Sequence, residues 1–170
     1  MKEQRGFTFV ELMVTMVIAA ILLGLGIPTF QAVVQNNRVT TQNNQLVGEI
    51  GFARSEAVDK KQSVTICSSN NQATCGGIWQ NGWIVFLDGN GNGTVDPGDT
   101  IRRVGAPNAS MTVAGTQASY TFTLEGQLNA IAGQGNFTVQ PTTCTSGESR
   151  VRTLNVRFTG LLFTQEGLCP

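Results

Sequence analysis

The strongest constraint on this chain is an apolar run near its start. From Phe7 to Phe30 the only polar side chains are Thr8, Glu11, Thr15 and Thr29. At a rise of about 1.5 Å per residue a helix of this length covers about 36 Å, enough to cross a bilayer. Lys2 and Arg5 precede the run. Basic residues before a membrane segment hold that end in the cytoplasm, so everything after the run is expected outside. An ordinary secretory signal would close its apolar stretch with a small-residue cleavage site, and Leu25-Gly26-Ile27-Pro28 is a poor match. The junction that stands out lies before the run, at Arg5-Gly6-Phe7.

Glu11 is out of place there. A carboxylate at membrane depth costs about 2.5–3.5 kcal/mol on insertion scales and calls for a partner. Cleavage after Gly6 would make Phe7 the first residue and Glu11 the fifth, and would bare an α-amine close to the carboxylate. In an assembly the amine of one subunit could pair with Glu11 of the next and so set the stagger between them.

Composition narrows the chemistry. The 170 residues carry 11 basic and 11 acidic side chains and no histidine. No overall basic field draws in nucleic acid, and the commonest general base and metal ligand is missing. No nucleophile–base pair, no carboxylates placed for hydrolysis and no phosphate loop is visible, so no enzymatic activity is expected. Four cysteines, Cys67, Cys75, Cys144 and Cys169, lie far beyond the apolar run. An even count in an exported domain suggests two disulfides, and four cysteines allow three pairings. Cys67–Cys75 and Cys144–Cys169 each close a local loop and are the expected pairs. A zinc site is the alternative, although no CxxC pair is present.

The octapeptide Arg5-Gly6-Phe7-Thr8-Phe9-Val10-Glu11-Leu12 resembles the class III signal of type IV prepilins and pseudopilins. That resemblance implies a prepilin peptidase that cuts after Gly6 and N-methylates Phe7, with Glu11 guiding docking into a growing filament. It also implies that Pro28, despite lacking an amide hydrogen, bends or locally melts the helix without ending it.

Past residue 30 the apolar positions Phe30, Val33, Val34, Leu46, Ile50, Ala53 and Ala57 recur at steps of three and four. This pattern predicts an amphipathic helix to about Asp59, whose apolar stripe packs on a sheet. Ser63–Ser68, Trp83–Leu87, Thr100–Val104, Ser119–Leu124, Asn136–Val139, Arg152–Phe158 and Leu161–Thr164 are rich in β-branched and aromatic residues and are separated by Gly, Asn and Pro. They predict seven antiparallel strands in one or two sheets. The expected organisation is therefore α+β: leader 1–6, membrane helix 7–30, amphipathic continuation 31–60 and a β-rich head 61–170. Ala53-Arg54-Ser55-Glu56-Ala57, Val64-Thr65-Ile66-Cys67 and Trp79-Gln80-Asn81-Gly82-Trp83-Ile84-Val85-Phe86 resemble the GspH/FimT branch of minor pilins and pseudopilins.

The branch implies a structural subunit that initiates or caps a type IV pilus or a type II secretion pseudopilus. Its implied partners are other pilins or pseudopilins, an inner-membrane assembly platform and the peptidase. The implied location is the bacterial inner membrane, crossed once by residues 7–30, with the head in the periplasm. The loop bounded by Cys144 and Cys169 resembles the disulfide-bounded loop of type IV pilins, a closure worth about 3 kcal/mol.

Two further chemistries stay open. Asp88, Asn90, Asn92 and Gly93 fit the first half of an EF-hand loop, with Asp96 inside it and Asp99 at the last position where a longer Glu is usual. The same Asn-Gly and Pro-Gly pairs also suit a metal-free hairpin tip, so calcium is one of two readings. Some relatives of the FimT kind use C-terminal arginines in a Gly-Arg-x-Arg motif for DNA uptake. Here the corresponding residues are Gly160-Leu161-Leu162-Phe163, so those arginines are missing; Arg150, Arg152 and Arg157, with Arg102 and Arg103, are candidates for a phosphate-binding patch in their place, and solvated strand faces explain them equally well.

Overall fold

The computed structural model describes residues 6–129 and 133–170; the greater part of the expected leader lies outside them. One helix, α1 (Phe9–Lys60), leads into eight strands among the described residues: β1 (Val64–Ser68), β2 (Trp83–Leu87), β3 (Thr100–Gly105), β4 (Met111–Gly115), β5 (Ser119–Phe122), β6 (Gly135–Pro141), β7 (Val151–Val156) and β8 (Leu162–Gly167). The chain falls into two compact units, Met1–Asn37 and Arg38–Pro170. The second half of α1 therefore belongs with the strands.

In the first unit α1 runs unbroken through Pro28. Its apolar side chains from Phe9 to Leu23 are largely exposed. No helix is long and apolar enough to cross a membrane when only the described residues are counted. The expected span, 7–30, includes residues 25–29, whose side chains fall outside the described ones.

In the second unit Val39, Leu46, Ile50, Ala53 and Ala57 form the inner stripe of α1 and are fully buried. Their spacing of three and four residues puts them on one face. They share a core with alternate residues of two four-stranded antiparallel sheets, ordered β3-β2-β1-β5 and β4-β6-β7-β8. From the first sheet come Val64, Ile66, Trp83, Val85, Tyr120 and Phe122; from the second, Met111, Val113, Phe137, Val139, Leu154 and Val156. Trp79 links the two, edge-on to Phe137 at 4.7 Å and tilted to Tyr120 at 6.2 Å.

The first sheet is covered on both faces. Behind β1 and β2 a smaller cluster gathers Cys67, Ile84 and Phe86 with Val95. That is why every residue of β1 is buried, where a one-sided strand would alternate.

The strand β4 has no counterpart among the seven expected. Its sequence, Met-Thr-Val-Ala-Gly, ends in two small residues with weak strand preference. Gly115 is small by necessity, because a Cβ there would lie 2.6 Å from Nε1 of Trp79. Between β2 and β3 the register shifts, so that Val85 faces Arg103 and Phe86 faces Ile101. The extra residue, Arg102, is a bulge, and a bulge turns consecutive side chains toward the same side. Both arginines consequently meet the helix: Arg102 pairs with Glu56 at 2.8 Å, and Arg103 lies 3.7 Å from Glu49 and over the ring of Phe52.

Candidate functional site

The N-terminal unit holds the residues singled out for processing. Gly6 and Phe7 precede the helix, and Phe7 is 78 % exposed. Thr8 caps the first turn: its Oγ1 accepts the amide of Glu11 at 3.3 Å and its carbonyl accepts that of Leu12 at 3.1 Å. A threonine in this role satisfies amides that have no partner inside the helix. Thr8, Glu11 and Thr15 then fall on one face by their three- and four-residue spacing, while Thr15 returns its hydroxyl to the carbonyl of Leu12 at 2.8 Å. The carboxylate of Glu11 is exposed and has no partner among the described residues. Near the positive end of the helix dipole a carboxylate is favoured, so its presence does not weaken the first turn.

The structure pairs Cys67 with Cys75 and Cys144 with Cys169, with Cα–Cα separations of 5.6 and 5.5 Å, and leaves no free thiol. The first bridge ties the loop after β1 onto the back of the sheet; the second closes the C-terminal loop, which the amides of Gly147 and Cys169 also fasten.

The acidic loop between β2 and β3 is organised by Asp88, which is fully buried. Its Oδ1 accepts the amide of Asn92 at 3.2 Å, and its Oδ2 accepts the amide of Gly93 at 2.9 Å and the hydroxyl of Thr65 at 2.7 Å. Thr65 in turn lies 2.6 Å from the hydroxyl of Thr121, so Asp88 anchors the loop to β1 and β5. Oδ2 of Asp96 accepts the side-chain amides of Asn90 and Asn92 at 2.9 and 2.7 Å. Asp99 accepts the amide of Asp96 at 2.9 Å. Oxygens that an ion would need are thus engaged by the loop's own donors, and no metal-sized group of three acidic or cysteine side chains occurs among the described residues.

The candidate DNA-binding arginines each have a partner within the head. Arg150 pairs with Glu148 at 2.8 Å and Arg152, itself buried, with Glu166 at 3.0 Å. Arg157 is stacked 5.0 Å from the ring of Phe163. Arg102 and Arg103 face helix carboxylates as described above.

Residues to which the sequence reading gave no site role complete the head. Arg54 of α1 donates to the carbonyls of Gly126 and Thr159 at 2.9 and 3.3 Å, clasping two turns against the helix. Gly160 must be glycine beside it, because φ is +75° and a side chain would run into the Gly126 carbonyl and Arg54. Gln42, nearly buried, accepts the amide of Asn108 at 2.8 Å, and Asn43 meets Thr164 of β8 at 3.1 Å. Burial pushes the Tyr120 hydroxyl above its ordinary pKa. A polar residue breaking an apolar helix stripe, as Gln42 and Asn43 do, was the available signal for the helix contacts; Arg54 stood within the Ala53–Ala57 stretch that carries the family resemblance, with no role attached to it.

The profile of the type II transport protein GspH matches residues 42–160, and that of the prokaryotic N-terminal methylation motif matches residues 1–27. Among solved structures the type IV minor pilin FimU of Pseudomonas aeruginosa strain PAO1 is similar in two crystal forms. One has a TM-score of 0.59 at 19 % identity, covering 76 % of this chain and 89 % of that one. The other has a TM-score of 0.56 at 17 % identity, covering 74 % and 91 %. That likeness is one of fold. No curated protein matches the sequence.

Proposed function

The chain belongs to the GspH family of type II transport proteins, and from that premise we propose that it is a minor pilin or pseudopilin that helps initiate or cap a type IV pilus or a type II secretion pseudopilus. The observation that carries this is the pairing of a Gly6-Phe7 junction with an exposed apolar helix that holds a carboxylate, Glu11, in its first turn with no partner among the described residues. Prepilin peptidase cuts after Gly6 and methylates the new amine. That amine meets Glu11 of a neighbouring subunit, which relieves the cost of a lone charge at membrane depth. Residues 7–30 anchor the subunit in the inner membrane before assembly, with the head in the periplasm, and the assembly platform and other pilins are its partners. Mass spectrometry of the protein recovered from its own membrane is expected to find a chain beginning at N-methyl-Phe7, and Gly6→Val is expected to leave it starting at Met1. A mature chain still carrying Met1, or normal processing of the Gly6 variant, would refute the reading.

The proposal includes no cofactor. Titration with calcium to millimolar levels is expected to produce no heat and no rise in melting temperature, since Asp88, Asp96 and Asp99 are bound by the loop itself. A rise of several degrees would restore the calcium reading. The alternative, a pilus-tip subunit for DNA uptake, is less well supported, because Arg102, Arg103, Arg150 and Arg152 each face a carboxylate and phosphate binding needs uncompensated positive charge.

A further inference from the structure

We propose that Asn90 is a modification site: its side-chain amide converts spontaneously to a carboxylate, while the fold keeps the two other Asn-Gly pairs unreactive. The chain has three such pairs, Asn81-Gly82, Asn90-Gly91 and Asn92-Gly93. Asparagine before glycine favours this chemistry, because no side chain hinders the approach of the next amide. The glycine nitrogen loses its proton and bonds to the asparagine Cγ. The bond from Cγ to the side-chain nitrogen breaks, and ammonia leaves with that proton. Water then opens the resulting succinimide at either carbonyl, giving aspartate or isoaspartate. The conversion consumes only water.

The attack needs a glycine amide that can give up its proton, a side chain free to swing onto it and room for both. At Asn92 the fold withholds the first two. The Gly93 amide donates at 2.9 Å to the buried carboxylate of Asp88, and a negative charge there disfavours the amide anion that must form. Oδ1 of Asn92 accepts the amide and the hydroxyl of Thr94, both at 2.8 Å, and its Nδ2 donates to Asp96 at 2.7 Å. At Asn81 the fold withholds the third. The Gly82 amide has only a 3.3 Å bond to the carbonyl of Trp79, but Gly82 is buried. A Cβ on it would lie 2.7 Å from the carbonyl oxygen of Gly105, and its own carbonyl accepts the amide of Ser69 at 2.9 Å.

Asn90 escapes both restraints. It is exposed. The Gly91 amide donates to an uncharged acceptor, the carbonyl of Asp88, at 3.2 Å. Oδ1 of Asn90 accepts the Asn92 amide at 3.1 Å and its Nδ2 donates to Asp96 at 2.9 Å, each longer than the equivalent bond of Asn92. A Cβ on Gly91 would come no closer than 3.5 Å to a neighbour. Conversion would replace the donor to Asp96 with a second carboxylate, whereas none of the three bonds of the Asp88 carboxylate involves Asn90. Nothing in this rests on the filament reading.

The test incubates the full chain, folded in detergent micelles, in mildly alkaline buffer, then reduces it and digests it with trypsin. All three pairs fall in one peptide, residues 62–102, bounded by Lys61 and Arg102, so fragmenting that peptide compares the sites within one molecule. Asn90 is expected to convert about tenfold faster than Asn92 or Asn81, the worth of one hydrogen bond to a charged group. The three rates are expected to converge when the chain is unfolded in urea. Asp88→Ala frees the Gly93 amide and is expected to bring Asn92 up to the rate of Asn90 without altering Asn81. Equal rates in the folded chain, a faster Asn81 or Asn92, or an inert Asn90 while the unfolded chain converts would each overturn the proposal. So would an unchanged Asn92 in folded Asp88→Ala. Should that variant fail to fold, the ratio of rates in the unaltered chain decides the matter.

Discussion

Phe137→Ala is expected to lower the stability of the head by about 3–5 kcal/mol, the range for truncating a buried aromatic side chain. Phe137 is fully buried at the middle of β6, opposite Gly115 of β4 and Leu154 of β7. It meets the Trp79 ring edge-on at 4.7 Å and the Tyr120 ring at 5.2 Å. Tyr120 belongs to the first sheet and Phe137 to the second, so this aromatic group is where the two sheets are joined. Alanine there removes the shared contact and leaves a cavity lined by rigid rings that cannot collapse into it. Each lost aromatic pair adds about 0.5–1.5 kcal/mol to the area term. Against a domain stability of about 5–15 kcal/mol, the loss is a large fraction of the whole. Denaturant unfolding followed by tryptophan fluorescence measures it. A change below about 1 kcal/mol would mean that the two sheets are not held together at this point.

Asp88→Ala is expected to cost about 2–4 kcal/mol, because buried donors left without a partner cost about 1–3 kcal/mol each. The amides of Gly93 and Asn92 and the hydroxyl of Thr65 all lose their acceptor. The hydroxyl can turn to Thr121 at 2.6 Å and the Asn92 amide to Oδ1 of Asn90 at 3.1 Å, which limits the loss; the Gly93 amide bears most of it. Asp88→Asn keeps the shape but supplies one acceptor oxygen in place of two, and its amide hydrogens must oppose a loop amide. Its stability is expected between that of the alanine variant and the unaltered chain. Thermal unfolding ranks the three, and hydrogen exchange at residues 92 and 93 shows where the loop opens. Equal stability of all three would mean that the carboxylate does not anchor the loop.

The reading of the sequence and the structure agree where the information is local. The three- and four-residue recurrence from Val39 to Ala57 marks the face of α1 that is buried. The observed helix ends at Lys60 against an expected end near Asp59. Strands rich in β-branched residues, such as β1 and β2, lie where their composition places them. β5 stops at Phe122, earlier than Leu124, because the amide of Thr123 turns to the carbonyl of Gln127 at 2.8 Å, a bond between residues too weakly patterned to announce it. Cysteine pairs that close short loops were also legible, since proximity along the chain favours their meeting.

What the sequence determined by itself is its own punctuation: the Gly6-Phe7 junction, the lone Glu11 in an apolar helix, the periodic face of that helix and the succession of short strands. Tertiary structure alone decided the rest. β1 is sealed on both faces because the stripe of α1 and the second sheet pack on one, while a disulfide-tied loop and Val95 close the other. Asp88 became a buried anchor and Arg102 with Arg103 became helix clasps only through partners distant in sequence. Periodicity arises from the geometry of a few consecutive residues, whereas a buried charge or a bulge takes its meaning from whichever distant group the fold sets against it.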